Sequence, residues 1–325
     1  MKTWKHLLLL LLLVNFSCEE QKTYQSESSG DIAISGQKMI DVLLTPDKIN
    51  GIFFITSREN DPITNLRGNS KYENLIGVSH TKEVTGDLHI TNNKELADLS
   101  PLDSLIVIGH SIMIKNNPKI SNLDFIKSIK AFGGIELKQI SISNLDFLED
   151  VEVLDRYLGL HELDSLKDFS TLKLQKVKGI FLDSLQHMTN TDFLSNLEQI
   201  TDAIYITKNP NLTHIKLNLK NTTLKQRIRI SSNNQLTSIE GLEQLQQIDK
   251  DIIIADNDSL TDLNFLKSIK EINGRLSIRG NKNLVDFSGL SNIESVKGSI
   301  LIEDNGQIDS EVSSQIRQWK KKWSS

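Results

Sequence analysis

The chain has 325 residues, of which 38% are hydrophobic and 24% are charged, and its formal net charge at pH 7 is −5. This composition is typical of a folded globular protein, and the mild negative charge excludes a broad basic surface for nucleic acid. The sequence contains 1 cysteine, Cys18, which excludes a disulfide within the chain and a zinc site built on several cysteines.

Residues 1–17 have the order of a targeting signal. Lys2 and Lys5 precede an apolar core over 7–14, and Ser17 is a small residue directly before Cys18. The core is too short to cross a bilayer, which takes roughly 20 residues. A lipoprotein signal, ordinary secretory cleavage and an uncleaved anchor are the three alternatives. The stretch resembles a bacterial lipoprotein signal, although Asn15 and Phe16 depart from the usual lipobox.

The resemblance implies that Cys18 is acylated and becomes the first residue of the mature protein. Two or more acyl chains hold a protein on a membrane stably, whereas one chain does so only marginally. Glu19 and Glu20 resemble the surface-export signal of Bacteroidetes lipoproteins, and residues 18–30 are polar and predict a flexible tether. We therefore expect a lipid anchor in the outer membrane, with display at the cell surface and the periplasmic leaflet as the alternative.

A repeat of 24 residues follows. We assign residues 31–49 to an N-terminal cap and residues 50–308 to the repeats, with an inserted loop within residues 56–80. The period is marked by asparagines that recur at one position of the repeat: Asn93, Asn117, Asn209, Asn233, Asn257, Asn281 and Asn305. A fixed period in the twenties indicates a solenoid with one supersecondary unit per repeat.

Each repeat begins with two aliphatic residues that flank one outward residue, as in Ile228 and Ile230, which predicts a short strand. The run that follows steps by three, from Leu236 through Ile239 to Ile248, and so favours an extended coil over an α-helix. Eleven parallel strands are predicted, beginning near Ile52, Leu88, Ile112, Ile135, Leu158, Ile180, Ile204, Ile228, Ile252, Leu276 and Ile300.

The unit, in stretches such as "SIMIKNNPKISNLDFIKSI" and "AIYITKNPNLTHI", resembles the receptor L domain, a relative of the leucine-rich repeat. The resemblance covers about residues 50–308. It implies a mainly β protein, a right-handed parallel β-helix or leucine-rich-repeat-like solenoid of about eleven coils.

The repeated asparagines suggest a structural role, since a buried asparagine can pair with backbone groups that a corner leaves unsatisfied. In the central coils this ladder position is aliphatic, at Ile140, Leu163 and Leu185. Two alternatives follow for the central coils: their inner packing differs from that of the other coils, or the alignment between coils shifts around Leu158.

The last segment, residues 309–325, predicts a C-terminal capping helix. Asp309 can cap it, and Val312, Ile316, Trp319 and Trp323 fall along one face. A cap covers the exposed end of a solenoid. The alternative is a helix that lies on a membrane, since Lys320, Lys321 and Lys322 accompany the two tryptophans.

The sequence predicts neither an enzyme nor a metal or cofactor site, because no catalytic or metal-ligand spacing emerges. A polysaccharide-cleaving β-helix would need paired carboxylates on one face. The predicted outward column is Phe53, His89, Met113, Glu136, Gly159, Phe181, Tyr205, Arg229, Ile253, Ser277 and Leu301. Glu136 is the one carboxylate in that column, so no pair forms.

The same column is rich in apolar and aromatic residues and is bordered by arginines, a composition that favours protein interfaces. In the insulin-receptor relatives the sheet face binds ligand. The predicted ligand-binding residues are Met113, Glu136, Phe181, Tyr205, Arg227, Arg229, Ile253, Arg275 and Arg279. We expect a non-catalytic surface lipoprotein with a protein or glycan partner and no nucleic acid; the alternatives are a structural or adhesion protein without a discrete ligand, or a glycan-processing enzyme.

Overall fold

The computed structural model describes residues 28, 30–34, 45–56, 75–307 and 310–323. The chain forms two compact units, Met1–Ile142 and Ser143–Ser325. The predicted signal over 1–17, Cys18, nearly all of the predicted tether and Asp309 lie outside the described residues, as does most of the predicted insertion within 56–80.

The first unit contains two parallel sheets. One has the strand order β1 (Ile32–Ile34), β3 (Phe53–Thr56), β5 (Leu88–Thr91), β7 (Ser111–Asn117) and β8 (Gly134–Ile140). The other has the order β2 (Lys48–Ile49), β4 (Glu83–Val84) and β6 (Val107–Ile108). Successive coils thus each add one strand to the first sheet, and the first three coils also add one to the second, as expected for a solenoid.

The second unit has a main parallel sheet, here called the main sheet. Its strand order is β9 (Val153–His161), β10 (Lys176–Asp183), β11 (Gln199–Thr207), β14 (Ile228–Ser231), β17 (Ile252–Ala255), β19 (Leu276–Arg279) and β21 (Ile300–Glu303). Two smaller parallel sheets have the orders β12 (His214–Lys216), β15 (Ser238–Glu240), and β13 (Thr223–Leu224), β16 (Gln247–Ile248), β18 (Glu271–Ile272), β20 (Ser295–Val296).

Short 3-10 helices occupy the part of the coil in which the sequence steps by three. Their bounds are Ile76–Val78, Ser100–Leu102, Asp124–Ser128, Asp146–Leu148, Asp192–Leu194, Asn264–Leu266 and Ser288–Leu290. A 3-10 helix has three residues per turn, so side chains three apart share a face. Leu263, Leu266 and Ile269 are buried in this way. The predicted extended coil is therefore correct only for coils such as that of β15 and β16.

The predicted fold is confirmed, because a strand is present at each of the eleven predicted places. In the second unit, the inward residues Leu158, Ile180, Ile204 and Ile228 are direct neighbours on adjacent strands and are all buried. The pairing around Leu158 is thus as predicted. Fully burying one such aliphatic side chain contributes about 1.5–3 kcal/mol, so the stacked rows account for much of the stability of the coils.

Two expectations for the N-terminal part need correction. Residues 31–49, predicted as a cap, include β1, which pairs in parallel with β3 and so extends the sheet. Phe53 was predicted to face outward, but it is buried and lies beside Leu88, whereas Phe54 lies beside His89. The 36 residues between Ile52 and Leu88 exceed the 24-residue period, and this shifted the predicted alignment by one residue.

The asparagines link one coil to the next by hydrogen bonds. Asn233 is 0% exposed, and its Oδ1 accepts from the backbone N–H of Asn209 at 3.0 Å. Its Nδ2 donates to the carbonyl of Ile206 at 2.9 Å. The same two kinds of bond are made by Asn117, Asn209, Asn257, Asn281 and Asn305. The side chains thereby satisfy backbone groups that the corner would leave unpaired inside the core.

The ladder position is aliphatic in three central coils, at Ile140, Leu163 and Leu185, and all three are buried. The backbone N–H of Leu185 still donates to Oδ1 of Asn209, at 2.9 Å. At the other end, Asn93 donates from Nδ2 to Ile55, while its Oδ1 is buried without a hydrogen-bond partner among the described residues.

The residue before each ladder position has a positive φ angle, and in every coil except those of β7 and β8 the strand ends directly before it. Ser232 and Asp256 have φ angles of 59° and 55°, and their backbone N–H groups donate to the carbonyls of Ala255 and Arg279 on the following coil. Gly280 occupies the equivalent place with a φ angle of 68°. A Cβ there would lie 2.3 Å from Oδ1 of Asp256, so glycine suits this position.

The C-terminal helix α1 (Ser310–Trp323) packs on the last coil. Ile316 and Trp323 are 6% and 4% exposed. The indole N–H of Trp323 donates to the carbonyl of Ile293 at 2.8 Å, and the rings of Trp319 and Trp323 stack. These contacts support the predicted cap. Across the described part of the chain, no helix combines the length and apolar character that crossing a membrane requires.

Candidate functional site

The candidate site lies on the main sheet of the second unit, on the side that faces away from the buried rows. Because side chains alternate along each strand, every second residue points to this outer face. Outward residues of neighbouring strands therefore form rows across the sheet. Phe181, Tyr205 and Arg229 are neighbours in one such row, since β10 pairs with β11 and β11 with β14. The outer face therefore carries aromatic and cationic side chains on consecutive strands.

Three aromatic residues form what we call the aromatic cluster: Tyr157, Phe181 and Tyr205. The rings of Phe181 and Tyr205 stack with centroids 4.8 Å apart, which equals the usual spacing of strands. Tyr157 meets Phe181 edge to face at 5.4 Å. Both arrangements are favourable aromatic geometries, so the rings hold one another in place.

Small residues beneath the cluster make room for the rings. Gly179 lies directly beside Tyr157 on one strand and Ala203 on the other. A Cβ on Gly179 would come within 2.8 Å of the carbonyl oxygen of Ala203 and 3.1 Å of Cδ1 of Tyr157. A larger residue at position 179 would therefore displace the ring of Tyr157.

Tyr157 is 39% exposed, and its hydroxyl donates a hydrogen bond to the carboxylate of Asp202. This bond favours the protonated phenol, and burial adds to the effect, so the pKa of Tyr157 is raised to about 12. The folded state consequently favours neutral Tyr157, a preference that is present below pH 10 and is lost as the pH rises toward 12.

We expect the substitution Asp202→Asn to move the pKa of Tyr157 back toward its ordinary value of 10.0, because the charged acceptor is removed. An ultraviolet absorbance titration of tyrosinate checks this, with Tyr157→Phe identifying the contribution of this ring. Superimposable titration curves for the native protein and Asp202→Asn would show that the hydroxyl does not bind Asp202.

Four arginines form what we call the arginine patch: Arg227, Arg229, Arg275 and Arg279. Asp251 lies between two of them, with its Oδ2 at 3.4 Å from Nη2 of Arg227 and 3.8 Å from Nη2 of Arg275. Its Oδ1 accepts from the backbone N–H of Arg275 at 2.9 Å. The Asp251 carboxylate is thus held by a backbone hydrogen bond and lies within ion-pair distance of both guanidinium groups.

The sequence-predicted site residues separate into three groups. Phe181, Tyr205 and the four arginines lie on the outer face of the second unit with part of each side chain exposed. Met113 and Glu136 belong to the first unit, where they are neighbours on β7 and β8. The prediction that Ile253 is exposed is wrong, because it is 6% exposed between Arg229 and Ser277.

Glu136 and His89 are the titratable members of the column in the first unit. Glu136 forms an ion pair with Lys115, whose Nζ lies 2.8 Å from Oε2. Burial lowers the pKa of His89, while the nearby Asp87 opposes that shift, and Nε2 of His89 is buried without a hydrogen-bond partner among the described residues. Within that same described part, no three His, Cys, Asp or Glu side chains come together as a metal site requires.

Sequence reasoning missed three residues of the site: Tyr157, its hydrogen-bond partner Asp202, and Asp251. Tyr157 lies directly before Leu158 and is aligned with Gly179 and Ala203 on the next two strands. The two small residues on the neighbouring strands were the feature of the sequence that indicated room for an aromatic ring at Tyr157. Asp251 lies between Arg227 and Arg275 at exact intervals of 24 residues on either side, and this alternation of charge was the signal there.

Comparisons with known proteins agree with this architecture. The Receptor L domain family matches residues 237–318. The cell wall protein ecm33 of Schizosaccharomyces pombe is 26% identical over 224 residues, which are 69% of this chain and 44% of that protein. The chain therefore spans less than half the length of this relative.

Among solved structures, an internalin from Listeria monocytogenes is similar with a TM-score of 0.30 and 14% sequence identity. The similarity covers 73% of this chain and 78% of the internalin. The 24-residue repeat, the parallel sheets and the family match over residues 237–318 together show that this chain contains a receptor L-domain-like solenoid.

Proposed function

We propose that this protein is a non-catalytic binding protein of the cell surface, which engages a protein or glycan partner through the outer face of the second unit. The observation that carries the proposal is the aromatic cluster beside the arginine patch on one sheet. Aromatic and arginine side chains dominate the binding energy of many interfaces, and both are half-exposed or exposed here.

The rigidity of the sheet supports this role. Strands β10, β11, β14 and β19 each pair with a strand on both sides. Stacked aromatic rings and the bonds of Asp251 further restrict the side chains. A preorganised surface loses little conformational entropy when a partner binds, so more of the contact energy appears as affinity.

The proposed location is the outer membrane, at the cell surface, with a lipid anchor at Cys18. The similarity to a cell wall protein supports a place at the cell surface. The order of Lys2, the apolar core and Ser17 before Cys18 supports the anchor. Acyl chains on one residue would leave the solenoid free to face a partner outside the membrane.

We expect labelled palmitate to be incorporated into the native protein in the producing cells and to be absent from a Cys18→Ser variant. Because the sequence contains a single cysteine, Cys18, no other thiol can substitute for it. A Ser17→Ala variant controls for changes near the signal. Label that persists in Cys18→Ser would overturn the proposed anchor.

The proposed binding face is tested by photo-crosslinking in the producing cells. A benzophenone amino acid replaces Phe181 on the outer face in one variant. In the control it replaces Val285, which is 46% exposed and lies outside the strands of the main sheet. Benzophenone inserts into C–H bonds, so it reports either a protein or a glycan.

We expect a discrete adduct from position 181 and none of comparable yield from position 285. A discrete adduct would exclude a structural protein without a ligand, the alternative noted from the sequence. Equal yields from both positions, or no adduct at position 181, would contradict the proposed binding face.

A further inference from the structure

The arginine patch has a regular arrangement along the sheet. Arg227 and Arg229 belong to the β14 coil, and Arg275 and Arg279 to the β19 coil. Strand β17 lies between them and pairs with both. The two pairs of cations are therefore two strand spacings apart, about 9.6 Å.

The intervening strand β17 (Ile252–Ala255) contains no cation. Ile253 and Ala255 are buried, and Asp251 lies within 4 Å of one arginine on each side. Two cationic coils thus flank one coil whose outward strand residues are buried. A polymer that runs along the sheet would meet positive charge on β14 and again two strands further on, at β19.

The patch has an excess of positive charge. Its four arginines are opposed on the same face by Asp251 and by Glu303, which lies beside Arg279. The whole chain has a net charge of −5, so the patch is a local exception on an acidic protein. Arginine binds carboxylate and sulfate groups through paired donors, which makes an anionic ligand the complementary one.

An extended peptide is the less suitable ligand. Peptides commonly bind a sheet by adding a strand at its edge, but β10, β11, β14 and β19 are paired on both sides. The separation of two strand spacings between the two cationic coils instead suits a polymer in which every second unit carries an acid. An acidic polysaccharide with one charged sugar in each disaccharide has this property.

The aromatic cluster lies next to the arginine patch on the outer face of the main sheet. Tyr205 lies on β11, directly beside Arg229 on β14. Its hydroxyl can bond a sugar hydroxyl, and the exposed ring surface can cover the apolar face of a sugar ring. Along the sheet, the outer face therefore offers an apolar subsite at the aromatic cluster, followed by cationic subsites on the β14 and β19 coils.

We propose that the aromatic cluster and the arginine patch bind an acidic polysaccharide that carries a carboxylate or sulfate on alternate sugars. This inference rests on the proposed function and names the ligand class for the same face.

The test measures binding of the immobilised full chain to four probes: hyaluronan, which has a carboxylate on alternate sugars; chondroitin sulfate, which adds a sulfate; neutral dextran; and poly-glutamate. Comparing hyaluronan with chondroitin sulfate shows whether the protein recognises the carboxylate or the sulfate group. We expect both acidic glycans to bind more tightly than dextran and poly-glutamate, with an affinity that falls as salt rises.

Two double variants locate the site. Arg229→Gln with Arg275→Gln should weaken binding of the acidic glycans roughly tenfold, from two exposed charged contacts. The control, Lys267→Gln with Lys270→Gln, removes the same charge from a shallow groove elsewhere, which Gln246, Asn292 and Glu294 also line. It should change the affinity less than about twofold.

The proposal is overturned if both double variants weaken binding equally, if dextran binds as well as hyaluronan, or if poly-glutamate alone binds. A protein adduct from position 181 would also overturn it while leaving the proposed function intact. Absence of any adduct at that position would instead count against the proposed function itself.

Discussion

Replacing Asn233 with alanine is expected to lower the free energy of unfolding by about 3 kcal/mol. The side chain is 0% exposed and bonds two backbone groups of the preceding coil. Its removal leaves the backbone N–H of Asn209 and the carbonyl of Ile206 buried without this partner. Each unsatisfied group costs about 1–3 kcal/mol, because water cannot reach it.

The adjacent Asn234 provides a matched control. It is exposed, and its carbonyl, which accepts from Ser259, remains in an alanine variant. Asn234→Ala should therefore change the stability by less than about 0.5 kcal/mol. Urea denaturation compares the two variants, and hydrogen exchange follows the backbone amide of Asn209 directly. Equal urea midpoints for Asn233→Ala and Asn234→Ala would contradict a stabilising role for the asparagine ladder.

Trp323→Ala is expected to destabilise the C-terminal end of the solenoid by about 3–5 kcal/mol. The ring is 4% exposed, stacks on Trp319 and donates to the carbonyl of Ile293. Its loss removes apolar burial and a buried hydrogen bond together. Since each coil contacts mainly its neighbours, the effect should be largest in β20 and β21.

Trp323→Phe separates the two contributions. It keeps most of the apolar contact and loses the indole N–H, so it should cost about 1 kcal/mol. Hydrogen exchange across β14 and β21 would show whether the loss is local to the end. An alanine variant as stable as the native protein would contradict the capping role of α1. In that case the membrane-bound alternative should be examined with anionic vesicles.

Sequence alone predicted the coils well because the stacked rows impose a strict pattern. Ile228, Ile252 and Leu276 recur at one interval and lie side by side in the main sheet. A one-residue shift would expose every buried row, so the pattern specifies the pairing strongly. Where the interval changed, at the coil of Phe53, the predicted facing direction was wrong.

The outer face was harder to predict, because exposure depends on neighbours that a strand pattern does not specify. Ile253 alternates correctly with the buried Ile252 and Ile254, yet it is itself buried. Long arginine side chains can cover apolar neighbours with their aliphatic parts, and Arg229 lies directly beside Ile253. Tyr157 was missed because β9 extends beyond the predicted strand toward its N-terminus.

The most direct test of the binding face combines the photo-crosslink at position 181 with the double substitution Tyr205→Ala and Arg229→Glu. Both substituted side chains neighbour one another on the outer face, and both are outside the buried rows. We predict that the adduct yield falls about tenfold or more while the thermal unfolding midpoint stays close to that of the crosslinker-bearing parent. An unchanged adduct yield in a folded double variant would contradict the assignment of this face as the binding surface.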